Sequence, residues 1–218
     1  MKISHGRLAA LIIVVIVVLD QIIKIWVKTH MCYDEEITIF SWMRIHFIEN
    51  NGMAFGMELG SKLFLTCFRL IVVVAGLYYM RKLTARPDIA LGFKVCVAMI
   101  LAGAAGNLID CMFYGIIFND PPFPFVAQLF PEGGGYGSLL YGRVVDMFYF
   151  PLAEWDWPSW VPEFGGEHFL FFQPIFNLAD ASLSVAVITL VLFYSKYLAL
   201  LDNRKADSTT QENAPTKE

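Results

Sequence analysis

The chain has 218 residues, of which 57% are apolar, 15% aromatic and only 17% charged, whereas an ordinary soluble domain carries about a quarter charged residues. A mean hydropathy of +0.56 excludes a disordered chain, which is poor in the residues that drive burial. A net charge of −4 leaves no basic footprint for nucleic acid, so the composition is that of an integral membrane protein.

A spanning helix needs roughly 20 mainly apolar residues. Four such windows occur, at about residues 8–27, 63–80, 89–109 and 174–194. None alternates strictly, which predicts an all-α membrane protein of four transmembrane helices rather than a barrel. Lys2 and Arg7 before the first window imitate a secretory signal, but Asp20, Gln21 and Lys24 lead into Ile25, Trp26 and Val27 instead of a small-residue exit. The segment is therefore expected to stay in the mature protein.

Lys and Arg resist translocation, so their distribution sets orientation. With both termini cytoplasmic, nine fall in inner segments and four (Lys28, Arg44, Lys62 and Arg143) in outer ones. The outer segments are also the long ones. In the loop between the third and fourth windows, Pro121, Pro122, Pro124 and the Gly133, Gly134, Gly135 run break regular structure. Trp155, Trp157 and Trp160 suit a membrane interface, and parts of this loop are expected to rest on the bilayer. Residues 1–201 read as one domain, and residues 202–218, polar and without aromatics, as a disordered cytoplasmic tail.

Cys32, Cys67, Cys96 and Cys111 are widely spaced and His5, His30, His46 and His168 scattered, so no metal site or redox pair is predicted. The cysteines read as small buried apolar side chains.

Ionisable residues inside a bilayer are costly and mark function by default. Asp20 and Lys24 lie toward the outer end of the first window, Asn107 and Asp110 at that of the third, and Asn177 and Asp180 in the first outer turns of the fourth. Asp146 sits in the outer loop between apolar neighbours. Polar groups from three helices and one loop thus converge on one membrane boundary. Bland readings compete with this one. Asp20 and Lys24 can form a local i,i+4 ion pair, Gly103, Gly106 and Asn107 can serve helix packing, and Asn177 with Asp180 can cap a helix. Arg69 can snorkel to the interface or hold a carboxylate. A small transporter or proton pathway is the alternative function, and it predicts polar residues throughout the bilayer depth, whereas the inner halves of the third and fourth windows are apolar except for Lys94.

Five blocks occur in order: Asp20-Gln21-x-x-Lys24, Asn50-Asn51-Gly52-Met53-Ala54-Phe55, Gly103-Ala104-Ala105-Gly106-Asn107-Leu108-Ile109-Asp110, Gly142-Arg143-Val144-Val145-Asp146-Met147-Phe148 and Phe176-Asn177-Leu178-Ala179-Asp180. In these the sequence resembles the lipoprotein signal peptidase (signal peptidase II) family of bacterial intramembrane aspartic proteases. The resemblance implies Asp146 and Asp180 as a catalytic dyad. It implies Asp20, Lys24, Asn50, Gly52, Gly103, Asn107, Asp110, Arg143, Asn177 and Ala179 as groups that support the dyad or hold substrate. It further implies a diacylglyceryl-modified prolipoprotein as substrate, cut before the modified cysteine. No metal or cofactor is implied, and the partners are membrane lipids around a monomer in the inner membrane, with the active site on the outer face. The family's first outer loop forms a small membrane-surface sheet, for which residues 37–48 have suitable alternation. Two departures stand out. Cys111 occupies a position where the family often has arginine, so that role is absent or supplied elsewhere, as by Arg143. Segments 115–142 and 151–173 are long insertions, open to readings as a lid or as a partner surface.

Overall fold

The computed structural model describes residues 3–51, 62–171 and 173–212. Among the described residues four helices are long and apolar enough to cross a membrane: α1 (His5–His30), α2 (Lys62–Thr84), α3 (Leu91–Ile109) and α5 (Leu178–Glu212). The third span continues past α3 through a π-helical turn, Asp110–Tyr114, and a short helix α4, Gly115–Ile117. Ser4 caps α1 by accepting a hydrogen bond from the Arg7 amide, which satisfies one of the donors that a helix start leaves free.

Burial is inverted relative to a soluble bundle. Phe64, Ile71, Leu192 and Phe193 on the helices are exposed, as a lipid-facing surface requires, because lipid tails offer no penalty to apolar side chains. Inside, Met80, Leu83, Phe93, Ala98, Leu101, Ala186 and Leu190 form a core around α3. Ser182 ties α5 to α3 by donating to the Met99 carbonyl.

At one end of the bundle lies a four-stranded antiparallel sheet in the order β1-β2-β3-β6. Strands β1 (Glu36–Phe40) and β2 (Met43–Asn50) come from the segment where alternation predicts them. The other two strands, β3 (Val144–Tyr149) in the interior of the sheet and β6 (Ile175–Phe176) at its edge, come from the segment between the third and fourth spans. Two expectations are corrected here. Asp146 stands on a strand rather than in a loop. The fourth span begins at Leu178 and not at residue 174, because Ile175 and Phe176 pair with Tyr149 and Phe148. Hydropathy cannot separate an apolar strand from the helix that follows it. A separate hairpin, β4 (Ala153–Asp156) and β5 (His168–Phe171), forms the second sheet.

Helix α5 also runs to Glu212, into residues 202–212 that composition assigns to a disordered tail. Ala, Arg, Lys, Gln and Glu in that stretch are good helix formers. Segment 115–142 folds back along the end of the third span. The amides of Phe130, Gly137, Leu140 and Gly142 donate to the carbonyls of Ile117, Gly115, Met112 and Cys111. Of the cysteines, Cys96 and Cys111 are buried, whereas Cys32 and Cys67 are only partly so.

Candidate functional site

The site grows from a polar line on α1. Asp20, Lys24 and Lys28 recur every fourth residue, so they share one helix face, and all three are buried. Lys24 reaches Asp20 at 2.9 Å, but also Asp110 at 2.7 Å and the Asn107 carbonyl oxygen Oδ1 at 2.9 Å. The pair is therefore not merely local. It is the cationic centre of a network joining α1 to the third span. Gln21 completes it, donating to Asp110 Oδ1 at 2.8 Å and accepting from the Tyr114 hydroxyl at 3.1 Å. Asp20 Oδ1 in turn accepts from the Ala179 amide at 2.9 Å, so an orphan donor of the first turn of α5 is satisfied by a carboxylate, the sign that a helix N-terminus favours.

Asn177 caps α5. Its Oδ1 accepts from the Asp180 amide at 2.9 Å, and Asp180 Oδ2 reaches back to the Asn177 amide at 3.5 Å, the reciprocal arrangement of a capping box. The capping reading and the site reading thus hold together, because the same Asn177 uses Nδ2 to donate to Asp146 Oδ1 at 2.6 Å. Asn107 donates through Nδ2 to Asp180 Oδ1 at 2.7 Å. Asn177 and Asn107 also meet each other at 3.1 Å. The two aspartates from a strand and a helix are in this way held by two amides in contact.

Asp146 is 3% exposed and Asp180 half-buried. Burial, reinforced by the Asp180 carboxylate and opposed by Lys24 and Asn177, pushes the Asp146 carboxyl up from its ordinary 3.8 to about 7. Such a displacement is what two neighbouring carboxylates in a poorly solvated place produce. Asn50 lies on β2 two residues beyond Ile48, which pairs with Asp146. Side chains alternate along a strand, so Asn50 and Asp146 occupy the same sheet face.

Gly103 and Gly106 explain how α3 and α5 approach. A Cβ at residue 103 would stand 2.4 Å from the Ala179 carbonyl oxygen, and one at residue 106 would stand 2.8 Å from Asp20 Oδ2. Gly103→Ala is expected to cost about 1–3 kcal/mol by forcing the helices apart. It should also lower turnover, because Ala179 is the neighbour of Asp180. A variant that melts and turns over like the parent would show that the contact relaxes freely.

Arg143 donates to Glu49 Oε2 and Asp120 Oδ2, both at 2.9 Å, and lies over the Tyr136 ring, rather than bonding to Asp146 or Asp180. Glu49 also pairs with Lys28, which is surrounded by the rings of Phe47, Phe118 and Tyr136. This second charged cluster, together with the core of Val27, Met31, Phe47, Phe118, Val145 and Met147, fastens segment 115–142 to the sheet. Arg69, not Arg143, faces the position where arginine is missing, donating to Cys111 Sγ at 3.2 Å. Gln21, Tyr114, Lys28 and Glu49 are network members not singled out from sequence. The spacing of Lys28 from Lys24 and the block that contains Gln21 are signals that point to two of them. Gly52 lies outside the described residues.

Four spanning helices with ionisable groups buried at one end of the bundle define a multi-pass membrane protein organised around a charged site. The family model for signal peptidase (SPase) II matches residues 12–196, and the chain belongs to that family. A lipoprotein signal peptidase of Porphyromonas gingivalis is 47% identical over 219 residues, covering 99% of this chain and 96% of the relative. Another from Amoebophilus asiaticus is 33% identical over 182 residues, covering 81% of this chain and 72% of its own. A solved structure described as a bacterial membrane enzyme, determined by the in meso method at 1.9 Å resolution, aligns with a TM-score of 0.55 over 84% of this chain and 90% of its own at 24% identity. That last likeness is one of fold.

Proposed function

We infer that the chain removes signal peptides from prolipoproteins as an aspartic endopeptidase, cutting before the diacylglyceryl-modified cysteine, with Asp146 and Asp180 as the catalytic pair. The observation that carries the reading is the linkage of these two carboxyls through Asn177 and Asn107. Family membership supplies the reaction. The excess of Lys and Arg in the segments opposite the cluster supports an outer-face site with cytoplasmic termini in the inner membrane.

A carboxyl and a carboxylate side by side divide acid and base duties. Asp180, more open and accepting from Asn107, takes a proton from water as that water adds to the scissile carbonyl carbon. Asp146, which burial beside Asp180 keeps protonated up to about pH 7, donates to the carbonyl oxygen. Collapse of the tetrahedral adduct then breaks the C–N bond, with a proton passing to the leaving nitrogen. The substrate's acyl chains stay in lipid while its peptide bond reaches the end of the bundle. The Lys24 network and the capping amides hold the pair in place, and the apolar core of Phe93, Ala98, Leu101, Ala186 and Leu190 around α3 disfavours a transport role.

The test is cleavage by purified protein of a prolipoprotein with and without the diacylglyceryl group, alongside Asp180→Asn. Processing of only the lipidated form, lost in the variant, is expected. Turnover by the variant would remove Asp180 from the pair, and equal processing of both substrates would remove the lipid from recognition.

A further inference from the structure

We propose that the β4–β5 hairpin is a bilayer anchor, which lays its aromatic face into the interface of an electrically neutral lipid surface beside the start of α5. Its register places Trp155 opposite Phe169 and Ala153 opposite Phe171, while Asp156 is opposite His168. Opposed residues share a face and neighbours alternate. One face therefore carries Trp155, Phe169 and Phe171, and the other the Asp156–His168 pair at 2.8 Å.

The rings of the first face are gathered together. Trp155 stands 4.6 Å from Phe169 and 5.6 Å from Trp157, and Trp157 stands 6.3 Å from Phe164 between centroids. Yet they are not covered by the protein. Phe164 and Phe171 are about half exposed, and Trp160 at the tip is 80% exposed. Among the described residues the two strands of the hairpin pair only with each other. Amphipathic Trp and Tyr rings at headgroup level are what the bilayer interface selects.

Position on the molecule identifies the occupant as lipid. Phe150, three residues before β4, stacks on Phe176 at 5.6 Å, and Phe176 stands two residues before the first residue of a spanning helix. The same stack continues through Trp42 to Phe40, at 6.1 and 5.4 Å. The root of the hairpin is thus pinned to the end of a span by a row of rings.

Charge narrows the lipid class. No Lys or Arg occurs between Arg143 and Lys196, whereas Asp156, Glu163 and Glu167 lie on or beside the hairpin. A cation-free, acidic element is held by ring insertion alone and is repelled by anionic headgroups.

The proposal rests on the spanning frame and not on the peptidase reading, and its test needs no turnover. The full chain and Trp160→Phe, a change at an exposed site, are reconstituted into phosphatidylcholine vesicles with or without brominated acyl chains. The Trp160 contribution, taken as the difference between the two proteins, is expected to fall roughly twofold or more with brominated lipid and to resist aqueous iodide. In vesicles rich in phosphatidylglycerol the bromolipid effect should weaken at low salt and return as salt screens the repulsion. A Trp160 contribution quenched by iodide and untouched by bromolipid would overturn the anchor and assign the rings to a protein partner. Stronger bromolipid quenching on the anionic vesicles at low salt would overturn the lipid class.

Discussion

Asp146→Asn is expected to abolish cleavage and, in the same protein, to raise the apparent melting temperature above neutral pH. The two effects have one cause. The carboxyl has its proton affinity raised to about 7 because it is buried beside Asp180, and an unfolded chain returns it to the ordinary range near 4. Below pH 4 both states hold the proton and the group is neutral in its effect on stability. Between pH 4 and 7 only the folded state holds it, so folding takes up a proton and stability declines as pH rises; above 7 the penalty is complete. At about 1.4 kcal/mol per pKa unit, the full penalty is on the order of 4 kcal/mol. Asn keeps an oxygen for the Asn177 donor and carries no charge, so it escapes the penalty. The gain over the parent should grow between pH 4 and 7, level off above, and reach roughly 8–16 °C in melting temperature. Turnover should drop roughly a thousandfold or more, since the variant cannot pass a proton to the carbonyl oxygen. A melting difference that does not change with pH would show that Asp146 ionises as freely folded as unfolded.

This opposition of stability and activity at one residue bears on what a sequence can disclose. The four spans are legible because hydropathy is a local property, and the paired carboxyls are legible because charge is rare in such a setting. What is not legible depends on pairing between distant segments. Asp146 reads as a loop residue since its strand exists only by bonding to distant segments, at Asp146 itself to β2 about a hundred residues earlier, with Ile48 opposite Asp146 and Glu49 opposite Val145. That register also explains where Arg143 lies. It lies three positions from Asp146, and an odd offset in extended chain turns a side chain to the opposite face. Arg143 accordingly shares the face of Val145 and Glu49, away from Asp146, and joins Lys28 there through Glu49. The start of α5 fails for a related reason, because Ile175 and Phe176 are as apolar as the helix behind them and only their partners on β3 reveal a strand.

The second large effect is expected from Lys24→Met. Lys24 is fully buried between two carboxylates that are themselves buried, Asp20 and Asp110, so removal of the cation strands both. Breaking a buried ion pair from one side costs about 3–5 kcal/mol, most of it the burden of the charge left behind. Lys24→Met with Asp110→Asn should therefore be more stable than Lys24→Met alone, with a coupling of about 0.5–3 kcal/mol in the cycle. Activity should fall as well, and for a reason that packing does not supply. Lys24 Nζ donates to Asn107 Oδ1 at 2.9 Å, which leaves Nδ2 of the same amide for Asp180 at 2.7 Å. Without the ammonium the amide oxygen loses the shorter and charged one of its two donors, keeping only Asn177 Nδ2 at 3.1 Å, and a flipped amide would set its oxygen against the carboxylate of Asp180. The double variant should then recover stability but not turnover. If turnover returns together with stability, the role of Lys24 is confined to charge balance, and the orientation of Asn107 is set by Asn177 alone.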